Sequence, residues 1–285
     1  MLTHPMPDPV AISLGPIDIH WYGLMYVVAF GLFLALGRLR IRLPHIAAQG
    51  WKFDDLDDML FYGMLGVIVG GRLGEVLFYR ADYFLSNPIE ILKVWEGGMS
   101  YHGGFIGVLV AMALWARKAK RNLFDVFDFI APLVPLGYAV GRIGNFINAE
   151  LPGRVADASL PWAMRWPDIS YPLEPVPVFL EGLRHPSPLY QMLIDGILVF
   201  AIVWLYARKA RPRLAVGAMY MFLYGCARFF TEYFRTPDWE VTFAGVTITS
   251  SQVLSLPMIV LGVALLVWAY RQPKPGLLER SRLHR

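Results

Sequence analysis

Two stripes of polar residues in this 285-residue chain have the types and spacing for chemistry on a phosphate. Arg142, Asn145 and Asn148 recur every three residues, and Tyr224, Arg228, Glu232 and Arg235 recur every three or four. At that spacing each set occupies one face of a helix. A planar guanidinium fork binds phosphate bidentately and neutralises the charge that grows on a departing one. Arg72 with Glu75, the His20-Trp21-Tyr22 run and His102 within Ser100-Tyr101-His102-Gly103-Gly104 add further groups of the same kind. Histidine ordinarily titrates at about 6.5, which suits proton removal from a nucleophile. The simpler reading of these groups is local: arginines that snorkel to headgroups or pair in place, Arg72 with Glu75 and Arg228 with Glu232, and a histidine that only hydrogen-bonds.

The elements that must hold these residues are apolar helices. Hydrophobic residues make up 56% of the chain and charged residues 17%, and the mean hydropathy is +0.46. A soluble fold would have to expose that surface. Windows near 17–37, 59–79, 98–116, 126–147, 189–207, 214–234 and 252–270 are each long and apolar enough to cross a hydrocarbon core of about 30 Å. They predict an all-α integral membrane protein of seven transmembrane helices, a single membrane domain over 1–285. The first Lys or Arg is Arg38, so no basic start precedes the first window and that span is expected to remain in the mature chain. Residues 148–188 hold eight prolines with Trp162 and Trp166. They are too polar to cross and predict a small extracytoplasmic subdomain, with the tryptophans at headgroup level.

Lys and Arg set the orientation. Four alternate segments, around Arg38–Lys52, Arg117–Arg121, Arg208–Arg213 and Arg271–Arg285, carry 17 of them, and the opposite side carries 6. The N-terminus is therefore expected outside and the C-terminus in the cytoplasm. This accounts for a pI near 9.1 through contact with anionic headgroups, without nucleic acid. Arg72, Arg142 and Arg228 remain inside spans, where a charge costs about 2.5–3.5 kcal/mol on insertion scales. With alternating direction, all the polar clusters fall in the outer third of the membrane, which predicts one site open to the outer leaflet. Gly66, Gly70 and Gly74 in the second window, with Gly103, Gly104 and Gly107 in the third, have the spacing for close helix packing.

The single cysteine, Cys226, rules out an intrachain disulfide and a thiolate metal cluster. No nucleotide P-loop, HExxH helix or GxSxG elbow occurs, and the apolar spans lack acidic residues with divalent-metal spacing, so no cofactor is expected. Three classes stay open on the residues alone: an enzyme acting on a phospholipid, a phospholipid-binding scaffold, and a transporter or channel. Clustering at one depth, with no visible inverted repeat, disfavours the last.

The run Gly141-Arg142-Ile143-Gly144-Asn145-Phe146-Ile147-Asn148-Ala149-Glu150-Leu151-Pro152-Gly153 resembles the signature of the prolipoprotein diacylglyceryl transferase family at every fixed position. The His102-Gly103-Gly104 run, the His20-Trp21-Tyr22 start and the Tyr224, Arg228, Glu232 stripe extend the likeness over nearly the whole chain, in the family's order. His185-Pro186-Ser187-Pro188-Leu189-Tyr190-Gln191 departs from it, with Pro188 and Gln191 where the family usually reads Gln and Glu. The resemblance implies a bacterial inner-membrane enzyme with its site on the periplasmic side. Such an enzyme moves the diacylglyceryl group of phosphatidylglycerol to the lipobox cysteine of a prolipoprotein signal peptide and releases glycerol 1-phosphate. It also implies roles: Arg142 and Arg228 on the phosphate, Tyr22, Asn145, Glu150, Gly153, Tyr224 and Glu232 binding the substrate, and His102 drawing the thiol proton. The reacting thiol then belongs to the substrate, and Cys226 is a small packing residue.

Overall fold

The computed structural model describes residues 2–171, 176–243 and 245–272. Lys274, Arg280, Arg282 and Arg285 of the basic C-terminal segment lie outside them. The described chain is mainly helical: α1 Trp21–Ile41, α2 Phe53–Tyr79, α3 Tyr101–Lys118, α4 Leu123–Ile147, α5 Ser187–Ala207, α6 Ala215–Thr231 and α7 Ser250–Arg271. Among the described residues, α1, α2, α4, α5 and α7 are long and apolar enough to cross a membrane. α3 and α6 coincide with the other two sequence windows but have 18 and 17 residues and carry polar ends. Val27, Phe61, Leu65, Phe105, Leu198 and Val260 are exposed along these helices, the surface of a chain solvated by lipid rather than water.

The first window begins too early. Ile17–His20 is strand β3, paired antiparallel with β2, Val10–Leu14. The alternation Ile-Asp-Ile-His suits a strand, and Gly15 at φ +64° makes the turn that closes the hairpin. α4 is interrupted by a 3-10 turn at Ala131–Leu133, where Pro132 and Pro135 cannot donate to the helix. α5 contains a π-helical stretch, Met192–Leu198.

The chain divides into two compact units, Gly37–Phe127 and the segments Met1–Leu36 with Asp128–Arg285. In the first, α2 packs on α3 through the predicted glycine seam. A Cβ on Gly66 would lie 2.9 Å from Ala111 Cβ, and one on Gly70 would lie 2.7 Å from Gly107 Cα. Close packing is therefore what this spacing does. Ser100 caps α3, its hydroxyl accepting from Gly103 N at 3.1 Å. The Arg72 guanidinium does not pair with Glu75. It donates to the carbonyls of Ile91 (2.9 Å), Gly97 (2.6 Å), Gly98 (3.1 Å), Lys93 (3.1 Å) and Glu90, and it lies 4.9 Å from the Phe84 ring.

In the second unit, residues 149–171 and 176–185 surround Trp166. That ring is fully buried and its Nε1 donates to Ala149 O at 2.7 Å, so Trp166 is core and not a headgroup anchor. Trp162 is half exposed and donates to the Tyr190 hydroxyl at 2.6 Å. Strand β1, Leu2–Thr3, runs parallel to β4, Met164–Arg165. His4 fastens the N-terminus there, bonded through Nε2 to Phe146 O at 2.6 Å and accepting from Met6 N at 3.0 Å. A second hairpin, β5 Glu240–Phe243 with β6 Val246–Thr249, leads into α7. Thr249 and Gln252 close a capping box at the start of that helix.

Candidate active site

The C-terminal end of α4 supplies the first stripe. Arg142 Nη1 donates to Asn145 Oδ1 at 3.1 Å, and Asn145 Nδ2 in turn donates to Glu150 Oε2 at 2.6 Å. Asn148 Nδ2 donates to the other carboxylate oxygen at 3.2 Å. Glu150 reaches back because the chain reverses sharply around it. Ala149 and Leu151 both hold φ +56°, a conformation that non-glycine residues adopt only at an energetic cost. Bonds from Trp166 to Ala149 O and from Ser187 Oγ to Leu151 O (2.7 Å each) hold that strained turn in place.

Gly153 follows where three backbone segments meet. Its N–H donates to His185 O at 3.2 Å, Arg154 N donates to Phe234 O at 2.9 Å, and a Cβ on Gly153 would collide with the carbonyls of His185 and Phe234. Beside it, burial pushes the His185 imidazole below its ordinary pKa. Tyr22, at the start of α1, packs on Gly144, where a Cβ would stand 3.1 Å from Tyr22 Cδ2. Tyr22, Tyr26, Phe30, Gly137, Tyr138 and Gly141 line most of an apolar cleft of about 330 Å³. It opens one helical turn before Arg142.

α6 supplies the second stripe. Arg228 Nη2 donates to Ser251 Oγ at 2.6 Å, and Nη1 lies 2.8 Å from Glu232 Oε2. That ion pair is close but out of line for a hydrogen bond. Nη1 and both Glu232 oxygens are thus buried with no aligned partner among the described residues. Arg235 Nη1 is 3.7 Å from the same Glu232 oxygen, and Arg235 is fixed to Asp238 at 2.7 Å. The local Arg228–Glu232 pair exists, yet it leaves donor capacity on the guanidinium. Tyr224 presents its ring edge-on to Tyr138, with centroids 5.5 Å apart.

The sequence reading missed two members of this constellation, Tyr138 and Asp195. Tyr138 continues the α4 stripe one turn before Arg142, whose guanidinium carbon lies 4.5 Å from its ring centroid. Asp195 in α5 is fully buried and accepts from the Tyr138 hydroxyl at 3.2 Å and from the Thr231 hydroxyl at 3.1 Å. A lone carboxylate in an apolar helix is itself the signal that could have found it. Gln191, at one of the two positions departing from the family run, is fully buried with neither amide atom hydrogen-bonded.

Arg142, Asn145, Glu150, Gly153, Tyr22, Tyr224, Arg228 and Glu232 all belong to one compact unit. His102 belongs to the other, exposed in the first turn of α3, with its ring edge-on to Tyr101 at 5.7 Å. Among the described residues, no three His, Cys, Asp or Glu side chains gather as metal ligands. What the arrangement offers is two half-buried guanidinium groups with donors to spare, beside amides, hydroxyls and an apolar cleft. Those parts suit an anionic headgroup with lipid tails.

Comparison with known proteins agrees with this chemistry. Residues 9–268 match the family model described as prolipoprotein diacylglyceryl transferase. The chain is 65% identical over 276 residues to the phosphatidylglycerol–prolipoprotein diacylglyceryl transferase of Janthinobacterium sp. (strain Marseille), covering 97% of this chain and 100% of the relative. Over an alignment of 301 positions that covers 100% of both chains, it is 52% identical to the protein of that name from Ralstonia pickettii (strain 12J). To the one from Dechloromonas aromatica (strain RCB) it is 56% identical over 273 residues, 95% of this chain and 99% of the relative.

Proposed function

The chain belongs to the prolipoprotein diacylglyceryl transferase family, and from that membership and the site geometry we propose how it works. It transfers the diacylglyceryl group of phosphatidylglycerol to a prolipoprotein, as the names of its relatives read. The acceptor is the lipobox cysteine at the end of the signal peptide. Its sulfur attacks the diacylglyceryl carbon that carries the phosphate ester; a C–S bond forms, the C–O bond breaks, and glycerol 1-phosphate leaves with the electron pair. The observation that carries this reading is the pair of half-buried arginines in one compact unit, Arg142 with a hydrogen bond to Asn145 and Arg228 with one to Ser251 beside its ion pair with Glu232.

Arg142 and Arg228 hold the phosphate and absorb the charge that develops on the leaving group. Asn145, Glu150, Tyr22 and Tyr224 orient the headgroup, Gly153 leaves room where the backbones converge, and Glu232 balances Arg228. His102 takes the thiol proton. No metal, nucleotide or other cofactor takes part, and no nucleic acid is bound. All seven helices, α3 and α6 included, span the bacterial inner membrane with the N-terminus outside. Residues 148–188 then cap the periplasmic side, where the site receives both lipid and signal peptide from the outer leaflet.

The test is to incubate the purified protein with phosphatidylglycerol and a lipobox peptide and to look for a thioether-linked diacylglyceryl peptide by mass. Thioether product that survives EDTA supports the reading. Lipid binding without product would leave a scaffold, and a metal requirement would displace the arginines as the sole cationic phosphate ligands. Orientation is tested separately in spheroplasts of a Cys226→Ser background. Leu160→Cys should react with a membrane-impermeant thiol reagent and Ala119→Cys should not; the reverse pattern overturns the topology.

A further inference from the structure

We propose that Asp195 is a positioning residue of this site, holding the Tyr138 ring beneath the Arg142 guanidinium; the proposal rests on the transferase reading above. An isolated carboxylate buried in an apolar helix is costly unless it is satisfied. Asp195 is satisfied by two hydroxyls from two other helices, Tyr138 on α4 and Thr231 on α6. The backbone makes that reach available. Next to Asp195, a Cβ on Gly196 would stand 2.5 Å from Ala139 Cβ and 2.9 Å from its Cα, so α5 and α4 pack closely with only the small Ala139 methyl at the contact. A side chain as short as Asp then spans the remaining gap. The π-helical stretch Met192–Leu198 sets its direction, a feature frequent at functional sites.

The consequence runs outward through Tyr138. Its hydroxyl is fixed by Asp195, its ring edge meets Tyr224, and its face lies under Arg142 at 4.5 Å. Arg142 is one of the two proposed phosphate ligands, and Tyr224 stands one turn before the other. Asp195 also lies within electrostatic reach of both Arg142 and Arg228. It touches no reacting atom; it sets where the fork points.

A double-mutant cycle tests this, with Asp195→Ala, Tyr138→Phe and the combination, and Asp195→Asn as the conservative variant. Each is measured for kcat and KM of diacylglyceryl transfer and for equilibrium affinity toward phosphatidylglycerol over phosphatidylethanolamine. Misplacing a positioned group by about 1 Å costs roughly 100-fold, so Asp195→Ala is expected to lose roughly 10- to 100-fold in kcat/KM. Tyr138→Phe should lose a similar factor, and the double variant should be no worse than Asp195→Ala. Asp195→Asn, which keeps an oxygen for the Tyr138 hydroxyl, should recover part of the loss. Additive losses, or full activity of Tyr138→Phe, would overturn the proposal and leave Asp195 as a helix-packing residue. If Asp195→Ala does not insert, Asp195→Asn takes its place in the cycle. A wild type without transferase activity refutes the reaction reading alone, because the affinity cycle is measured without turnover and still decides the role of Asp195.

Discussion

Arg72 and the pair Arg142 and Arg228 are all arginines in apolar helices, yet the structure uses them in opposite ways. Arg72 directs its donors inward. Its Nε, Nη1 and Nη2 bond five carbonyls of the segment Glu90–Gly98, whose two glycines, Gly97 and Gly98, sit at φ +84° and +71° to turn their oxygens toward it. A guanidinium has five N–H donors, so this one has little left for a ligand. Arg142 instead donates to Asn145 and lies over Tyr138, and Arg228 donates to Ser251 with an out-of-line contact to Glu232. An arginine in a membrane helix is therefore not a phosphate site by itself. What distinguishes the two kinds is how many of the fork's donors the fold has already used.

The largest effect that could break this comparison is on turnover. Lysine keeps the charge of Arg142 or Arg228 but loses the planar fork, so each Arg→Lys variant is expected to lose about 100- to 1,000-fold in kcat/KM while still inserting and purifying. Wild-type rates in Arg142→Lys would show that charge alone suffices. Arg72→Lys should fail in the other currency, with thermal stability reduced by about 2–3 kcal/mol as several buried carbonyls lose their donor. If Arg72→Lys melted like wild type but lost only turnover, Arg72 would belong with the other two.

The glycine seam beneath Arg72 sharpens the contrast at a smaller scale. Gly70→Ala puts a methyl into the α3 backbone and should cost about 1–3 kcal/mol, whereas Gly63→Ala, whose Cβ meets only Met112 Cε at 4.0 Å, should stay within about 0.5 kcal/mol. Equal melting temperatures for the two variants would show that the seam does not depend on close approach of the two backbones. The smallest effect is a pH response in the arginine-pair unit. Burial holds the His4 imidazole below its ordinary pKa despite its bond to Phe146 O, so the folded form favours neutral histidine. Its contribution is complete above the unfolded value of about 6.5 and is lost as pH falls through the folded one. Protonation also removes the acceptor that Met6 N uses. The protection factor of the Met6 amide, its exchange corrected for the intrinsic pH dependence, should thus fall between pH 7.5 and 5.5, and His4→Gln should flatten that fall; an unchanged protection factor would show that the N-terminus is held by β1 alone.

The sequence by itself determined the helices, because an apolar stretch of about 20 residues has few alternatives to a helix. It determined the stripes too, since a period of three or four fixes which residues share a face before any packing occurs. The 141–153 run was legible for the same local reason. Helix ends were less so: Ile17–His20 reads as apolar enough for the first span, and only pairing with Val10–Leu14 makes it a strand. Tertiary structure alone decided which arginine is open. Arg72, Arg142 and Arg228 are the same residue type in similar apolar surroundings, and Glu75 at three residues from Arg72 looks like a better partner than carbonyls up to 26 residues away. Asp195 and Tyr138 are 57 residues apart, and their contact depends on Gly196 bringing two helix backbones together. Hydrogen-bond satisfaction in a low-dielectric interior is a property of the assembled fold, and no local period in the chain encodes it.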